Sequence, residues 1–231
     1  MDSDIRPGRF QVLPVVIKNL IIINGLVWLA QITIGQDLIS MEDLFALHHF
    51  SSQFYHPWQF ITYMFLHSSE SFFHILFNMF ALWMFGSTLE NLWGPGRFLV
   101  FYLVCGLGAG ITQALALSYD ISQFTALYDA GKISAQELYL MANVPTLGAS
   151  GAVMGIFAAF AYTFPNSQMI ILPIPFPIKA KWALLGLAVL DLMGGISSKS
   201  TGIAHFAHLG GAAVGIIIVM IWNRNNRRHF Y

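Results

Sequence analysis

The feature that most constrains this chain is a series of long apolar runs, several of which reach the length needed to cross a lipid bilayer. Hydrophobic residues make up 56% of the 231 residues and charged residues only 10%, against roughly 25% charged in an average soluble domain. The mean hydropathy is +0.64. Because about 20 consecutive apolar residues span the hydrocarbon core as a helix, the sequence predicts an all-α, polytopic membrane protein.

Windows of this length predict six transmembrane helices. The fourth is short for a complete span, which fits a helix that begins part-way down the bilayer after non-helical backbone lining a wet cavity. No internal repeat, low-complexity tract or linker is visible, so residues 1–231 are predicted to form a single membrane domain with short tails at about 1–11 and 223–231. The predicted helices cover residues 12–34, 72–93, 97–118, 148–164, 179–195 and 203–222.

The positive charges predict the orientation of these helices. Nine of the eleven Lys and Arg residues lie in the two tails, in the second and fourth connections, or in the adjoining ends of the spans. Because Lys and Arg collect on the cytoplasmic side, both termini are expected in the cytoplasm, with a bacterial inner membrane as the expected setting. The acidic residues Asp2 and Asp4 and the length of the first apolar run do not fit a signal peptide.

The connections on the other side differ in composition. Residues 35–71 contain no Lys or Arg and are rich in aromatic residues and histidine, which predicts a loop lying in the membrane interface. Residues 119–147 form a second outer segment, in which Ser134 and Glu137 predict a capping box for a short helix. The glycine-rich loop 194–202 is a candidate gate, together with the fifth span; alternatively it is a simple connector.

Charge and cysteine content limit the function classes. Eleven basic and eleven acidic residues balance, so nothing indicates a nucleic-acid partner. The single cysteine, Cys105, excludes a disulfide framework and is interpreted as a packing residue. The outer histidines His48, His49, His56 and His67 lack a clear metal-ligand spacing, so they are expected to be solvated at the interface. We expect no metal and no organic cofactor.

The fourth predicted helix begins with a lone hydroxyl among very small residues. Ser150 stands between Gly148 and Gly151, two positions before and one after it, and Gly155 follows. Small residues let another backbone approach closely, and a helix N-terminus presents unpaired N–H groups that favour negative charge. Ser150 is therefore a candidate nucleophile; alternatively, it hydrogen-bonds a carbonyl within a tight helix contact.

The sixth predicted helix carries histidine beside small residues. His208 precedes Gly211 and Gly215 by three and seven residues, so an imidazole shares a helical face with a small-residue groove. That groove is predicted to receive the fourth helix and bring His208 to Ser150, whose hydroxyl needs a base to become a nucleophile. The alternatives for His205 and His208 are interhelical hydrogen bonds or half of a metal site.

Other polar residues lie near the predicted ends of the second and fifth spans. His74 and Asn78 are four residues apart, on one helical face. Both side chains can donate a hydrogen bond, and two donors aimed into one cavity would stabilise an oxyanion; alternatively they pin the second helix to its neighbours. Asp191, near the end of the fifth span, is interpreted as a charge at the outer rim rather than as a third catalytic residue.

Taken together, these residues resemble the rhomboid family of intramembrane serine proteases. The resemblance rests on three motifs in the family's order: H-x-x-x-N from His74 to Asn78, G-x-S-G around Ser150, and H-x-x-G-x-x-x-G from His208. It covers most of the chain, from about residue 58 to residue 222. It implies a six-helix bundle with an aqueous cavity open to the outside.

The resemblance also implies roles for the individual residues. Ser150 would be the nucleophile and His208 the general base, and the Ser150 amide, His74 and Asn78 would form the oxyanion hole. The partners would be the lipid bilayer and transmembrane protein substrates, cleaved near their outer ends. Glu90 and the glycine four residues after it also match the family's pattern.

Two positions depart from that pattern. Gln59 follows Trp58 where many members have arginine, so the first outer loop is expected to be anchored differently. Met154 occupies the position of a tyrosine that stacks on the base in some members, and we expect a sulfur–aromatic contact with His208 in its place.

Two other function classes were weighed against a protease. A catalytically silent rhomboid-like protein that binds membrane segments is disfavoured by the complete set of Ser150, His208, His74 and Asn78. A small-solute transporter is disfavoured because no inverted repeat of transporter type is visible in the sequence.

Overall fold

Helices form most of the structure, a computed structural model that describes residues 10–34, 40–170, 176–197 and 204–226. Among these residues a single short antiparallel pair of strands is present, with Gln168 opposite Lys179. The elements in chain order are α1 (Val15–Thr33), α2 (Met41–Phe45), α3 (Gln59–Thr62), a 3₁₀ turn (Tyr63–Phe65), α4 (Phe72–Trp93), α5 (Pro95–Asp129), α6 (Ala135–Ala142), α7 (Ser150–Thr163), β1 (Gln168–Met169), β2 (Ile178–Lys179), α8 (Ala180–Ile196) and α9 (His205–Asn226).

Helices α1, α4, α5 and α9 are long and apolar enough to cross a membrane. The chain is therefore an integral, multi-pass membrane protein. Each of the six predicted windows corresponds to a helix, but α7 has 14 residues and α8 has 17, below the about 20 residues of a full span. The count of six membrane spans stays a prediction.

Helix α5 corrects one predicted boundary. The expected span 97–118 is part of a 35-residue helix, about 52 Å long at 1.5 Å per residue and so longer than the roughly 30 Å hydrocarbon core. Residues 118–129 contain no Gly or Pro, and the hydroxyls of Ser118 and Thr125 each donate to the carbonyl four residues earlier at 2.8 Å. The helix ends at Asp129, two residues before Gly131, which has a φ of 67°.

The capping box predicted at the start of α6 is confirmed. The Glu137 amide donates to Ser134 Oγ at 3.2 Å, and the Ser134 amide donates to Glu137 Oε2 at 2.7 Å. The amide and the hydroxyl of Ser134 both donate to the Glu137 carboxylate, which favours its ionised form and lowers the pKa of Glu137. Part of the expected outer segment 119–147 is thus helical.

Helix α7 is the centre of the bundle and packs against α4, α5, α8 and α9. Nine of its 14 residues are buried. The predicted contact between the small-residue faces of α7 and α9 is present, since a Cβ at Gly215 would lie 2.5 Å from the Gly155 carbonyl oxygen. Cys105 of α5 is fully buried against Gly155, as expected for a packing residue.

The buried carboxylate of Glu90 ties the end of α4 to the start of α1. Its two oxygens accept hydrogen bonds from the amides of Val16 and Ile17, each at 2.9 Å. Both amides lie in the first turn of α1, where no intrahelical carbonyl is available. Gly94, with a φ of 81°, then turns the chain from α4 into α5.

The first outer loop, residues 40–71, is organised around Gln59. This side chain is fully buried. Its oxygen accepts from the amides of His48 and His56, both at 3.2 Å. Its nitrogen donates to the carbonyls of Asp43 and Phe54 at 3.1 and 2.7 Å. A neutral side chain that both donates and accepts therefore holds the loop where many relatives were expected to have arginine.

The expected interfacial solvation is wrong for two of the outer histidines. His48 and His67 are buried, with 1% and 0% exposure, because the loop folds back on itself and onto the bundle. Burial lowers the pKa of His67 to about 3 and also lowers the pKa of His48. Both rings are therefore neutral at physiological pH.

Candidate active site

Ser150 is the first residue of α7, and the backbone before it is held by the first outer loop. The amide of Gly148 donates to the Tyr63 carbonyl at 2.9 Å, and Thr146 exchanges two 2.8 Å backbone hydrogen bonds with Leu47. Gly148 has a φ of 124°, a region that favours glycine. Residues 144–149 are non-helical, as predicted, and they position the serine at the end of the central helix.

His208, in the first turn of α9, contacts this serine directly. Its Nε2 lies 2.8 Å from Ser150 Oγ. Close contact of the glycine faces makes this distance possible, because Gly151 of α7 packs against the Ala207 carbonyl and Gly211 packs against the Gly151 carbonyl. Gln113 of α5 supports the same turn by accepting from the Ala207 amide at 3.2 Å.

Asp191 was wrongly interpreted as a charge at the outer rim. Its side chain is buried, at 8% exposure, and its Oδ1 lies 3.1 Å from His208 Nδ1 and 2.8 Å from His205 Nδ1. The sequence offered one signal for this contact, the depth of the two residues in the membrane. The end of the fifth span and the start of the sixth lie on the same side of the membrane, so residues 191 and 208 were candidates for contact.

His74 faces Ser150 across Gly148. Its Nε2 is 3.0 Å from the position a Cβ would occupy at Gly148, and that position is 3.7 Å from Ser150 Oγ. The Ser68 amide donates to His74 Nδ1 at 3.1 Å. Because Nδ1 accepts a hydrogen bond, the proton of the neutral ring lies on Nε2, the nitrogen that lies next to Gly148.

Asn78 is buried one turn below His74 on α4. Its Nδ2 donates to the His74 carbonyl at 2.8 Å. An amide nitrogen carries two hydrogens, so this bond uses one of them. The hydrogen bond also fixes the side chain against its own helix.

The remaining predicted residues lie around this centre. Met154 packs against the hydrophobic core, and its expected contact with His208 stays a prediction. Gly194 faces the His205 ring, and a Cβ at Gly195 would lie 2.9 Å from Phe206. Residues 198–202 of the candidate gate lie outside the described residues. Within the described ranges, no group of three or more His, Cys, Asp or Glu is arranged to hold a metal ion.

Fold and site define a class: a multi-pass helical membrane protein in which a serine at the start of a buried helix meets a histidine of a neighbouring span. The family profile described as Rhomboid domain matches residues 55–225. The chain therefore belongs to the rhomboid family.

Relatives of this chain include bacterial and mitochondrial proteins. It is 30% identical over 209 residues to Rhomboid protease AarA of Providencia stuartii, an alignment that covers 87% of this chain and 69% of that protein. It is 33% identical over 161 residues to the human Presenilin-associated rhomboid-like protein, mitochondrial, covering 67% of this chain and 37% of the relative. Rhomboid protein 1, mitochondrial, of Saccharomyces cerevisiae is 28% identical over 151 residues, covering 65% of this chain and 38% of the yeast protein. The chain thus spans little more than a third of these mitochondrial relatives.

Proposed function

We propose that this protein is an intramembrane serine endopeptidase that cleaves transmembrane segments of membrane-protein substrates. The observation that carries the proposal is the 2.8 Å distance between His208 Nε2 and Ser150 Oγ. A serine becomes a nucleophile when a base within hydrogen-bond reach takes its proton. Similarity to a relative named a protease supports the same conclusion.

In the proposed mechanism, His208 Nε2 removes the proton of Ser150 as Oγ attacks the carbonyl carbon of the scissile bond. His208 then gives this proton to the departing amine, which leaves an ester on Ser150. A water molecule, deprotonated by His208, attacks the ester carbonyl. Collapse of the second tetrahedral intermediate breaks the ester bond and returns the proton to Ser150.

The negative charge that develops on the substrate oxygen needs donors that are already in place. The Nε2–H of His74 faces Ser150 across Gly148, and the Ser150 amide lies at the N-terminus of α7, where the first amides have no intrahelical partner. The second N–H of Asn78 completes the proposed oxyanion hole.

The proposed arrangement in the membrane includes α7 and α8 as the fourth and fifth of six spans, in a single domain formed by residues 1–231. Helix α7 is shielded from lipid by its neighbours, which makes a 14-residue helix acceptable at membrane depth. Both termini lie in the cytoplasm, in a bacterial inner membrane. Substrate enters on the outer side by motion of α8.

A fluorophosphonate probe tests the proposal, because it labels only an activated serine. The purified protein in liposomes should be labelled and should cleave a membrane-embedded reporter. Ser150→Ala and His208→Ala should each lower cleavage by at least about 10⁴-fold. Ser87→Ala, which changes another buried serine of a membrane helix, should leave both activities intact.

Two outcomes would contradict the proposed serine peptidase. If a chelator stops cleavage and Ser150→Ala does not, the protein is not a serine peptidase and the outer histidines require a metalloenzyme interpretation. If neither labelling nor cleavage occurs in the folded protein, the catalytically silent class is correct.

A further inference from the structure

One carboxylate oxygen connects the two histidines of α9 to α8. Asp191 Oδ1 lies 2.8 Å from His205 Nδ1 and 3.1 Å from His208 Nδ1. The three side chains are largely removed from solvent, with exposures of 11% for Asp191, 12% for His205 and 18% for His208. This carboxylate has no role in the mechanism proposed above.

The carboxylate determines which nitrogen of His208 carries the proton. An ionised carboxylate has only acceptor sites, so the ring nitrogen facing it must donate. Nδ1 of His208 is therefore protonated, and Nε2 has its lone pair directed at Ser150 Oγ. An imidazole without such a partner can carry its proton on either nitrogen, and the form protonated at Nε2 cannot accept the serine proton.

The same carboxylate also favours the charged ring. When His208 takes the serine proton, it becomes an imidazolium 3.1 Å from Asp191 Oδ1. A negative charge at this distance, partly shielded from water, stabilises the imidazolium during each proton transfer. Its effect is larger in the transition state than in the resting protein, as catalysis requires.

Of the two histidines that contact Asp191, His205 has a different role from His208. Its ring donates to the same oxygen but does not contact Ser150 in any described hydrogen bond. It lies against Gly194, one turn after Asp191 on α8. The ring thus gives Asp191 Oδ1 a second hydrogen bond, which links the end of α8 to the start of α9.

We propose that Asp191 is a positioning residue that, held by His205, fixes the base-competent tautomer of His208 and stabilises its charged form. This inference rests on the proposed function. It makes the site a serine–histidine–aspartate arrangement in which the third residue comes from a different helix than the base. Asp191 does not touch the substrate.

The first test separates turnover from binding. Asp191→Asn keeps the size of the side chain and removes its charge. In a well-studied soluble triad the same change lowers kcat about 10⁴-fold, and here we expect a loss of at least about 10²-fold. KM for the reporter should stay within about threefold, since substrate does not contact the residue. Asp120→Asn, a change of another acidic residue on the outer part of α5, should leave kcat unchanged.

If Asp191 had only a structural role, the losses of kcat in the variants would follow a different pattern. Both hydrogen bonds join α8 to α9, so a structural contact would make His205→Ala as harmful to kcat as Asp191→Asn. The positioning role predicts a clearly smaller loss for His205→Ala, because the bond between Asp191 and His208 remains. A loss below about tenfold in Asp191→Asn, or equal losses in the two variants, would overturn the inference.

A spectroscopic test does not depend on the Asp191 variant folding. In ¹⁵N-histidine-labelled protein in micelles, the His208 signals, assigned by their loss in His208→Gln, should show a protonated Nδ1 and an unprotonated Nε2. The opposite tautomer would overturn the inference. If Ser150→Ala is fully active, the proposed function itself fails; if Ser150→Ala is inactive and Asp191→Asn keeps its kcat, only the role of Asp191 fails.

Discussion

Replacing Gly215 by alanine should impair catalysis more than stability. Gly215 lies on α9 seven residues after His208, and a Cβ there would lie 2.5, 2.9 and 3.0 Å from the oxygen, Cα and carbonyl carbon of Gly155. All three are backbone atoms of α7. No side chain can rotate out of the way, so the two helices must separate or one of them must bend.

The expected size of the effect follows from this contact. Ordinary contact of a Cβ begins at 3.4 Å, so relieving the 2.5 Å approach needs a displacement of about 0.9 Å, the difference between these distances. Overpacking costs about 1–3 kcal/mol, and alanine regains about 1 kcal/mol of helix propensity, which leaves a loss of about 0–2 kcal/mol. A displacement near 1 Å at a reacting pair costs about 10²-fold in rate.

The assay compares kcat on the liposome reporter with the Tm of the same preparation in detergent. Gly186→Ala in α8 is the matched control, because it also changes a helical glycine but has nothing within 4 Å of the new Cβ. This variant should keep full activity, and its free energy of unfolding should rise by up to about 1 kcal/mol. If Gly215→Ala retains kcat within threefold at an unchanged Tm, the close approach of α7 and α9 does not set the distance between Ser150 and His208.

Three further predictions concern the capping carboxylate, the oxyanion donors and pH. Glu90→Gln removes one of two charge-assisted bonds to the start of α1 and should cost about 1.5–3 kcal/mol in detergent unfolding. Glu70→Gln, the same change at an exposed glutamate of the first outer loop, should cost less than about 1 kcal/mol; equal losses would contradict the cap. His74→Ala should lower kcat about 10²–10³-fold, and Asn78→Ala less, since one of its N–H groups is already used; unchanged turnover in both and in their double mutant would make them structural. Because burial holds the pKa of His67 at about 3 rather than the usual 6.5, the unfolded chain binds more protons between these values. Stability should therefore be full above about pH 6.5 and fall as pH decreases, with a shallower fall of Tm in His67→Gln; identical pH profiles would count against this origin.

Local pattern in the sequence was enough to predict the helices and the pairing of α7 with α9. Apolar windows are local properties, and each of the six windows became a helix within a few residues, apart from the extended end of α5. The glycines at 211 and 215 pointed to a close helix contact because only residues without a large side chain allow two backbones to approach. Ser150 at a helix start also followed from local composition.

The details of the site depended on information that is not local. Whether Asp191 faces solvent or His208 is determined by the rotation of α8 about its axis and its depth relative to α9, and hydropathy specifies neither. For the same reason, the burial of His48 and His67 and the five hydrogen bonds around Gln59 were not predictable, because they arise when a loop folds onto the bundle.

Sequence alone thus determined the membrane class, the helical segments and the residues that carry the proposed chemistry, because each of these depends on residue type and short-range spacing. Only the tertiary structure indicates which nitrogen of His208 and of His74 holds the proton. Nδ1 of His208 faces a carboxylate from α8 at 3.1 Å, and Nδ1 of His74 faces the Ser68 amide at 3.1 Å. A ring proton goes to the nitrogen that faces an acceptor, and the partner of each ring is known only once the helices have packed.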